Sequence, residues 1–242
     1  METSLDIRIQ KLERRYRQMK QAFTVLMPAF IALLGIAFSR TDTFDIIRAK
    51  GIILEDSLGR DRILIGSPVP YSKDRVRLDT ALVRKYWASK IIPGNPDEYM
   101  GYYRTYRNKS EGIVVMNEQG FDRVLLGDRL ADANTGRRMF EAAGILWNDR
   151  QGFELGGAGV NTTEEGLART AFGLDNSEGE AIHVVAMEDG TKALVITDGN
   201  GYLMFGMSPE NGALFQNKLP FTGIRYFDDQ GVLRWEQDLE RK

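Results

Sequence analysis

Paired acidic residues are the first candidates for chemistry in this chain of 242 residues. Glu188-Asp189 and Asp228-Asp229 each place two carboxyl groups side by side, an arrangement in which one group can act as general acid and the other as general base. Each pair lies in a short polar stretch that is typical of a β-turn, where water solvates both groups. We therefore assign no catalytic residue to either pair.

Metal, cofactor and nucleophile chemistry lack their usual residues. The chain has no Cys and a single His, His183, which alternates with apolar neighbours as a strand residue does. Thiolate zinc sites and Cys nucleophiles are therefore excluded. The Asp-x-x-Gly segments lack the alternating acids of a calcium loop, and Gly156-Gly157-Ala158-Gly159 does not form G-x-G-x-x-G before a helix. The sequence thus predicts no metal-binding residue and no cofactor, and a protein that is not an enzyme.

A repeated motif, Gly-apolar-x-apolar-x-Asp/Asn-x-x-Gly, positions most of these residues. Copies begin at Gly51, Gly112, Gly144, Ala193 and Gly223. The Asp or Asn side chain caps its own turn, and the second Gly takes the positive φ of a β-hairpin turn. Further turns are expected at 175–179 and 188–190. Because a single hairpin is unstable, we predict a mainly β fold in which the hairpins form a common sheet, stacked sheets or a sandwich.

An uncharged stretch runs from Ala22 to Ser39. It is long enough to cross a bilayer core of roughly 30 Å as a helix, so it predicts a transmembrane helix. The residues assigned to the membrane span are Ala22, Phe23, Leu26, Phe30, Leu33, Leu34 and Phe38. Three alternatives stay open: a cleaved signal peptide ending near Gly35-Ile36-Ala37, a buried core helix, and a span that only anchors the chain.

Charge predicts how such a span is oriented. Residues 1–21 carry six Lys and Arg against three acids, whereas residues 112–242 carry twelve against twenty-one. Because Lys and Arg near a span stay in the cytoplasm, we expect a bacterial inner-membrane protein with a cytoplasmic N-terminus and a periplasmic C-terminal domain. The acidic distal part argues against nucleic acid as a partner.

The charged segment before the span carries a heptad pattern. Its apolar residues are spaced alternately four and three apart, and the pattern continues through Phe23, Leu26 and Phe30. The residues are Leu5, Ile9, Leu12, Tyr16 and Met19. Such an a/d seam predicts contact with a protein partner, another copy or a different subunit. The alternative is an amphipathic helix lying on anionic lipids.

The segment 67–111 interrupts the repeat. Asp79 is expected to cap a short helix from Thr80 to about Lys90. A stretch rich in Tyr and Arg follows, and these residue types are enriched at binding hot spots. Its predicted contact residues are Tyr99, Tyr102, Tyr103, Arg104, Tyr106 and Arg107. The alternative is an excursion that covers the edge of the sheet with half-buried tyrosines.

These observations divide the chain into five parts. They are a cytoplasmic amphipathic helix (1–21), a transmembrane helix (22–39), a first β-hairpin (40–66), a helical and Tyr-rich insertion (67–111) and a β-hairpin-repeat domain (112–242). From Phe44 to about Met207 the chain resembles a loose group of uncharacterised bacterial single-pass membrane proteins with repeated G-I-x-x-x-D-x-x-G hairpins. The resemblance implies a β-rich, membrane-anchored protein and carries no activity.

Two functions are expected from these features. The first is a non-catalytic accessory or scaffold subunit of a larger inner-membrane complex, such as a photosynthetic or respiratory one, with other membrane-protein subunits and the lipid bilayer as partners. The alternative is a stand-alone envelope-anchored binding module that recognises glycan or peptide through aromatic side chains.

Overall fold

The computed structural model of the chain describes residues 2–39, 46–105, 110–136, 141–176 and 179–239, with the side chains of residues 9–32 in the first helix. The chain divides into two units, Met1–Arg48 and Ala49–Lys242. The first unit contains one helix and the second contains all the strands.

Helix α1 (Glu2–Ser39) is continuous through Pro28 and joins the charged segment to the uncharged stretch. Among the described residues, no helix is both long enough and apolar enough to cross a membrane. The side chains of Leu33, Leu34 and Phe38, which the sequence assigns to the span, lie outside the described residues, as does that of Leu5. The transmembrane span therefore stays a prediction.

In its described residues, the second unit contains twelve antiparallel strands whose order in the sheet is their order in the chain. Each strand pairs with its neighbours in sequence, so the sheet is one open meander. The strands are β1 (Gly51–Glu55), β2 (Asp61–Gly66), β3 (Glu111–Met116), β4 (Asp122–Asp128), β5 (Glu141–Asn148), β6 (Glu154–Thr162), β7 (Ala168–Asn176), β8 (Gly179–Ala186), β9 (Lys192–Thr197), β10 (Gly201–Ser208), β11 (Phe221–Asp228) and β12 (Leu233–Asp238).

The mainly β prediction is confirmed, and of the arrangements that the sequence left open the structure shows one common sheet, not stacked sheets or a sandwich. Consecutive hairpins remain hydrogen-bonded to one another; β2 pairs with β3 although the whole insertion lies between them in sequence. Irregular connections, not a second sheet, cover part of one face. The spacing of the turn motifs could not distinguish these arrangements, because a hairpin has the same local sequence in both.

The turns form as their residues predict. The Asp149 carboxylate accepts from the backbone N–H groups of Gln151 (2.7 Å) and Phe153 (3.0 Å), and Gly152 has a φ of +79°. Asp56, Asn117 and Asp228 make the same pair of bonds in their own turns. A polar cap plus a glycine three residues later therefore fixes these four turns. In the copy that begins at Ala193 the positive φ falls on Gly199 and not on Gly201.

One register position across the sheet is occupied by Gly or Ala in ten of the twelve described strands, and we call it the glycine row. From β1 to β12 it contains Gly51, Gly66, Gly112, Gly127, Gly144, Gly159, Ala171, Val185, Ala193, Gly206, Gly223 and Asp238. Gly112 and Gly127 pair directly, and both have a φ of +148°. L side chains rarely adopt this conformation. Glycines placed in line allow a sheet to bend.

The insertion between β2 and β3 is largely helical. It contains α2 (Thr80–Val83), a π-helical turn (Arg84–Ala88), α3 (Ser89–Ile91) and α4 (Pro96–Tyr103), after a 3₁₀ turn (Val76–Leu78). The predicted cap is confirmed, because the Asp79 carboxylate accepts from the backbone N–H groups of Ala81 and Leu82. Trp87 is buried with Phe121 and Phe153, which follow hairpin turns. The insertion therefore packs on the turns of the neighbouring hairpins.

The turn carboxylates make stability dependent on pH. A hydrogen bond from the Arg60 side chain holds the pKa of Asp56 well below its usual range. Because the pKa is lower in the folded than in the unfolded chain, this stabilisation is present above about pH 4 and is lost as pH falls below it. We expect Asp56→Asn to show a smaller drop in Tm than the wild type between about pH 6 and about pH 3.

The control is Leu58→Ala, because Leu58 lies in the same turn as Asp56 and has no titratable side chain. This variant should keep the pH dependence of the wild type. Equal acid sensitivity of Asp56→Asn and the wild type, measured by thermal melts followed by circular dichroism, would contradict the assignment.

Candidate docking surface

Alternation along the strands gives the sheet two faces with different surroundings. One face, the covered face, carries the buried side chains of Leu64, Val114, Leu125, Met204 and Phe227. The other, which we call the open face, carries the residues that alternate with them. Apart from Gly156 and Gly201, which have no side chain, none of its described residues is buried.

Connections between strands supply the packing on the covered face. Near β2–β5, Val69 of the insertion and Leu130 of the β4–β5 connection are buried against the sheet. Near β9–β11, Phe215 of the β10–β11 connection is fully buried beside Phe221. These connections account for the burial of one face only.

The open face is apolar in strand after strand. Its large apolar residues are Ile52, Leu54, Ile63, Ile65, Ile113, Val115, Val124, Leu126, Ile145, Trp147, Val160, Phe172, Leu174, Ile182, Val184, Leu194, Ile196, Leu203, Phe205, Met207, Ile224, Tyr226 and Trp235. Twelve of them are 37–53% exposed. A soluble monomer rarely exposes an apolar patch of more than a few hundred Å².

The part of this face formed by β6–β11 is hollow. A depression of about 810 Å³ is lined by the open-face residues Phe172, Val184, Leu194, Phe205 and Met207, with backbone of the glycine row at its floor. One depression shared by strands so far apart in the sheet indicates that the open face is concave here, as a line of glycine bends predicts.

Aromatic side chains give the open face local order. The Trp147 ring lies over Gly156, where an added Cβ would be 2.8 Å from its Nε1 atom. The same ring contacts Phe172 on β7, with 5.9 Å between ring centroids. An aromatic ring that covers a cross-strand glycine shields the backbone and fixes its own position.

Charge is placed at the borders of the open face. Among its described residues, charged side chains lie at strand ends, as Glu111, Asp128 and Lys192 do. An apolar centre with a polar rim is the usual anatomy of a protein–protein interface.

Comparison with protein families, curated proteins and solved structures returns no match. The geometry of the chain itself therefore carries the functional argument.

The heptad residues of α1 lie on the surface of their own unit. Ile9, Leu12, Tyr16 and Met19 are exposed, as are Ala22, Phe23, Leu26 and Phe30 of the predicted span. Leu12, Tyr16 and Met19 are 63–66% exposed. Contact with a partner stays a prediction for these residues. Such contact requires them to be exposed, and they are.

Two members of the tyrosine patch predicted in the insertion lie inside the fold of the chain. Tyr99 and Tyr103 are buried, and their hydroxyls donate to the backbone carbonyls of Asn134 and Arg77. Burial raises the pKa of Tyr99. The ring and the hydroxyl of each are satisfied inside the fold, which is the arrangement of the alternative with buried tyrosines, and contact with a partner stays a prediction for both.

The other members of that patch divide between surface and undescribed chain. Tyr102 and Arg104 are exposed on and after α4, and the Tyr102 hydroxyl donates to Glu98 at 3.1 Å. Tyr106 and Arg107 lie outside the described residues. The predicted patch therefore does not form as one surface in the described residues.

The residues first considered for chemistry are engaged in structural contacts. The Asp228 carboxylate accepts from the backbone of Val232 (2.8 Å) and from the Arg234 guanidinium, and its pKa is lowered. Arg169 donates to Glu188 and lowers the pKa of that carboxyl group. His183 lies 3.4 Å from Glu180. Among the described residues, no group of three His, Cys, Asp or Glu is placed to hold a metal ion.

Sequence reasoning missed the open face, although a signal for it was present. Strands such as Gly112-Ile113-Val114-Val115-Met116 are apolar at successive positions, not at alternate ones. Such runs indicate strands with apolar residues on both faces.

Proposed function

We propose that the protein is a non-catalytic accessory or scaffold subunit of a larger bacterial inner-membrane complex, such as a photosynthetic or respiratory one, and that it acts by protein–protein contact. The observation that carries this proposal is the open face. Its exposed side chains amount to on the order of 1,000 Å² of apolar surface. This exceeds the largest patch of a typical monomer and matches the share of one partner in a standard interface.

The proposal places α1 in the membrane. Support comes from the uncharged stretch 22–39, from the exposed apolar residues of α1, and from the excess of Lys and Arg in residues 1–21. With this orientation the N-terminus is cytoplasmic and the sheet is periplasmic. A membrane anchor would hold the open face beside partner subunits and raise their effective concentration.

The mass of the protein after extraction from its native membrane tests the proposal. The tagged full chain, extracted in mild detergent, should be found in a particle whose protein mass, measured by light scattering after subtraction of the detergent, is well above the 27.3 kDa of one chain. Replacing Phe205, which is 53% exposed, by Asp should reduce that mass, because a charge would be desolvated at the interface.

Leu58→Asp is the control, since Leu58 is an exposed turn residue away from the open face. It should leave the particle unchanged. A wild-type protein with the mass of a single chain would overturn the proposal.

A second candidate function rests on the aromatic residues of the same face. Trp147, Phe172 and Trp235 are partly or largely exposed, and aromatic rings are common platforms for peptides and sugars. We infer that an envelope-anchored module for glycan or peptide is the alternative. Binding of the full chain to isolated cell-wall material, lost in Trp147→Ala and kept in Leu58→Ala, would favour it.

A further inference from the structure

We propose that the open face is the interface through which copies of this chain associate with one another. This inference rests on the proposed function, because it names the partner of the same surface. The occupant is a second copy of the chain, and the sheet of that copy lies against the sheet of the first.

The composition of the open face favours a copy over a different subunit. Its centre is apolar across eleven consecutive strand pairs, and charge is confined to strand ends in the described residues. A hetero-interface usually gains specificity from complementary charges, whereas interfaces between identical subunits are more apolar and resemble a protein core cut in half. The open face has the second character.

The geometry of the open face also suits a facing sheet. Two sheets pack with about 10 Å between them, and side chains from the inner faces interdigitate. The depression of about 810 Å³ beside Phe172, Phe205 and Met207 offers depth for side chains of an opposing copy. The sandwich core that the sequence predicts within one chain would then form between chains.

Helix α1 supplies an independent observation in the other unit of the chain. Its heptad residues Leu12, Tyr16, Met19 and Leu26 are each more than 60% exposed. Heptad seams pack knobs-into-holes against helices with the same repeat. The chain therefore has two separate apolar surfaces, the open face and the heptad seam of α1. Self-association would bury both of them.

The test uses the full chain purified in mild detergent from a foreign host, where native partner subunits are absent. Its protein mass should be two or more times 27.3 kDa. The double variant Val184→Asp/Phe205→Asp should raise the Kd of self-association at least about tenfold above that of the wild type. Leu58→Asp should retain the wild-type behaviour. Both open-face positions are exposed, so the variants are expected to fold, and circular dichroism checks this.

Thiol labelling separates the open face from α1 as the site of association. The chain has no Cys, so Phe205→Cys and Leu58→Cys each provide a single thiol. Maleimide should label the first at least about tenfold more slowly than the second, because the interface covers it. Dilution to single chains should remove the difference.

The outcomes distinguish this inference from the proposed function. A single-chain mass in the foreign host together with a large particle in the native membrane would overturn self-association and leave the scaffold role standing. A single-chain mass in both would overturn both. An oligomer whose thiol from Phe205→Cys is labelled as fast as that from Leu58→Cys would overturn the open face as the interface.

Discussion

Replacing Gly127 by Ala is expected to lower the free energy of unfolding by about 4 kcal/mol. The new Cβ would lie 1.9 Å from the carbonyl oxygen of Glu111, and the φ of +148° is unfavourable for any L side chain. Backbone strain of this kind costs about 1–3 kcal/mol, and the clash with a paired backbone adds about as much. Chemical denaturation of the purified chain measures the effect.

Gly101→Ala is the matched control for this prediction. Gly101 lies in α4, its φ is not positive, and an added Cβ would meet nothing within 4 Å. This substitution should be neutral or should stabilise by up to about 1 kcal/mol, because Ala is the better helix former. Similar destabilisation by both substitutions would show that the glycine row has no special role.

Replacing Asp122 by Ala is expected to destabilise the protein by about 3–5 kcal/mol. The Asp122 carboxylate forms a two-pronged ion pair with Arg75, with Nη2 2.7 Å and Nε 2.9 Å from its two oxygens. The side chains of Arg75 and Asp122 are only 2% and 8% exposed. Removing the carboxylate leaves the guanidinium buried without its counter-charge, which is costly in a medium of low polarity.

The pair Arg84–Asp97 provides the control. These side chains also approach to 2.6 Å, but they are 47% and 80% exposed. Water and salt screen such a pair, so Arg84→Ala should change stability far less than Asp122→Ala does. A loss below about 1 kcal/mol for Asp122→Ala in the same denaturation assay would contradict the role given to burial.

Local features of the fold were predictable from the sequence. The Asp/Asn-x-x-Gly motif predicts four of the tight turns, and Asp79 predicts the start of α2, because both depend on bonds within a few residues. The structure confirms these elements, because the side chains of Asp149 and Asp79 accept hydrogen bonds from the backbone beside them.

Longer-range features were not predictable in the same way. The sequence cannot distinguish one twelve-stranded sheet from a sandwich, because hairpin turns are identical in both. It also could not place Tyr99 and Tyr103, since a tyrosine with a bonded hydroxyl is stable in a core and at a surface alike. For the open face, the runs of successive apolar residues are a usable signal. They indicate only that both faces of the sheet carry apolar side chains.

The meander order of the strands bears on how the protein is made and how it varies. Every strand after β1 bonds to the strand that precedes it in the chain, so a hairpin leaving the ribosome finds its docking edge already formed. Such nearest-neighbour growth keeps most loop closures short and favours rapid folding. It also means that whole hairpins can be gained or lost by gene duplication or deletion while the remaining register is unchanged, as in arrays of structural repeats.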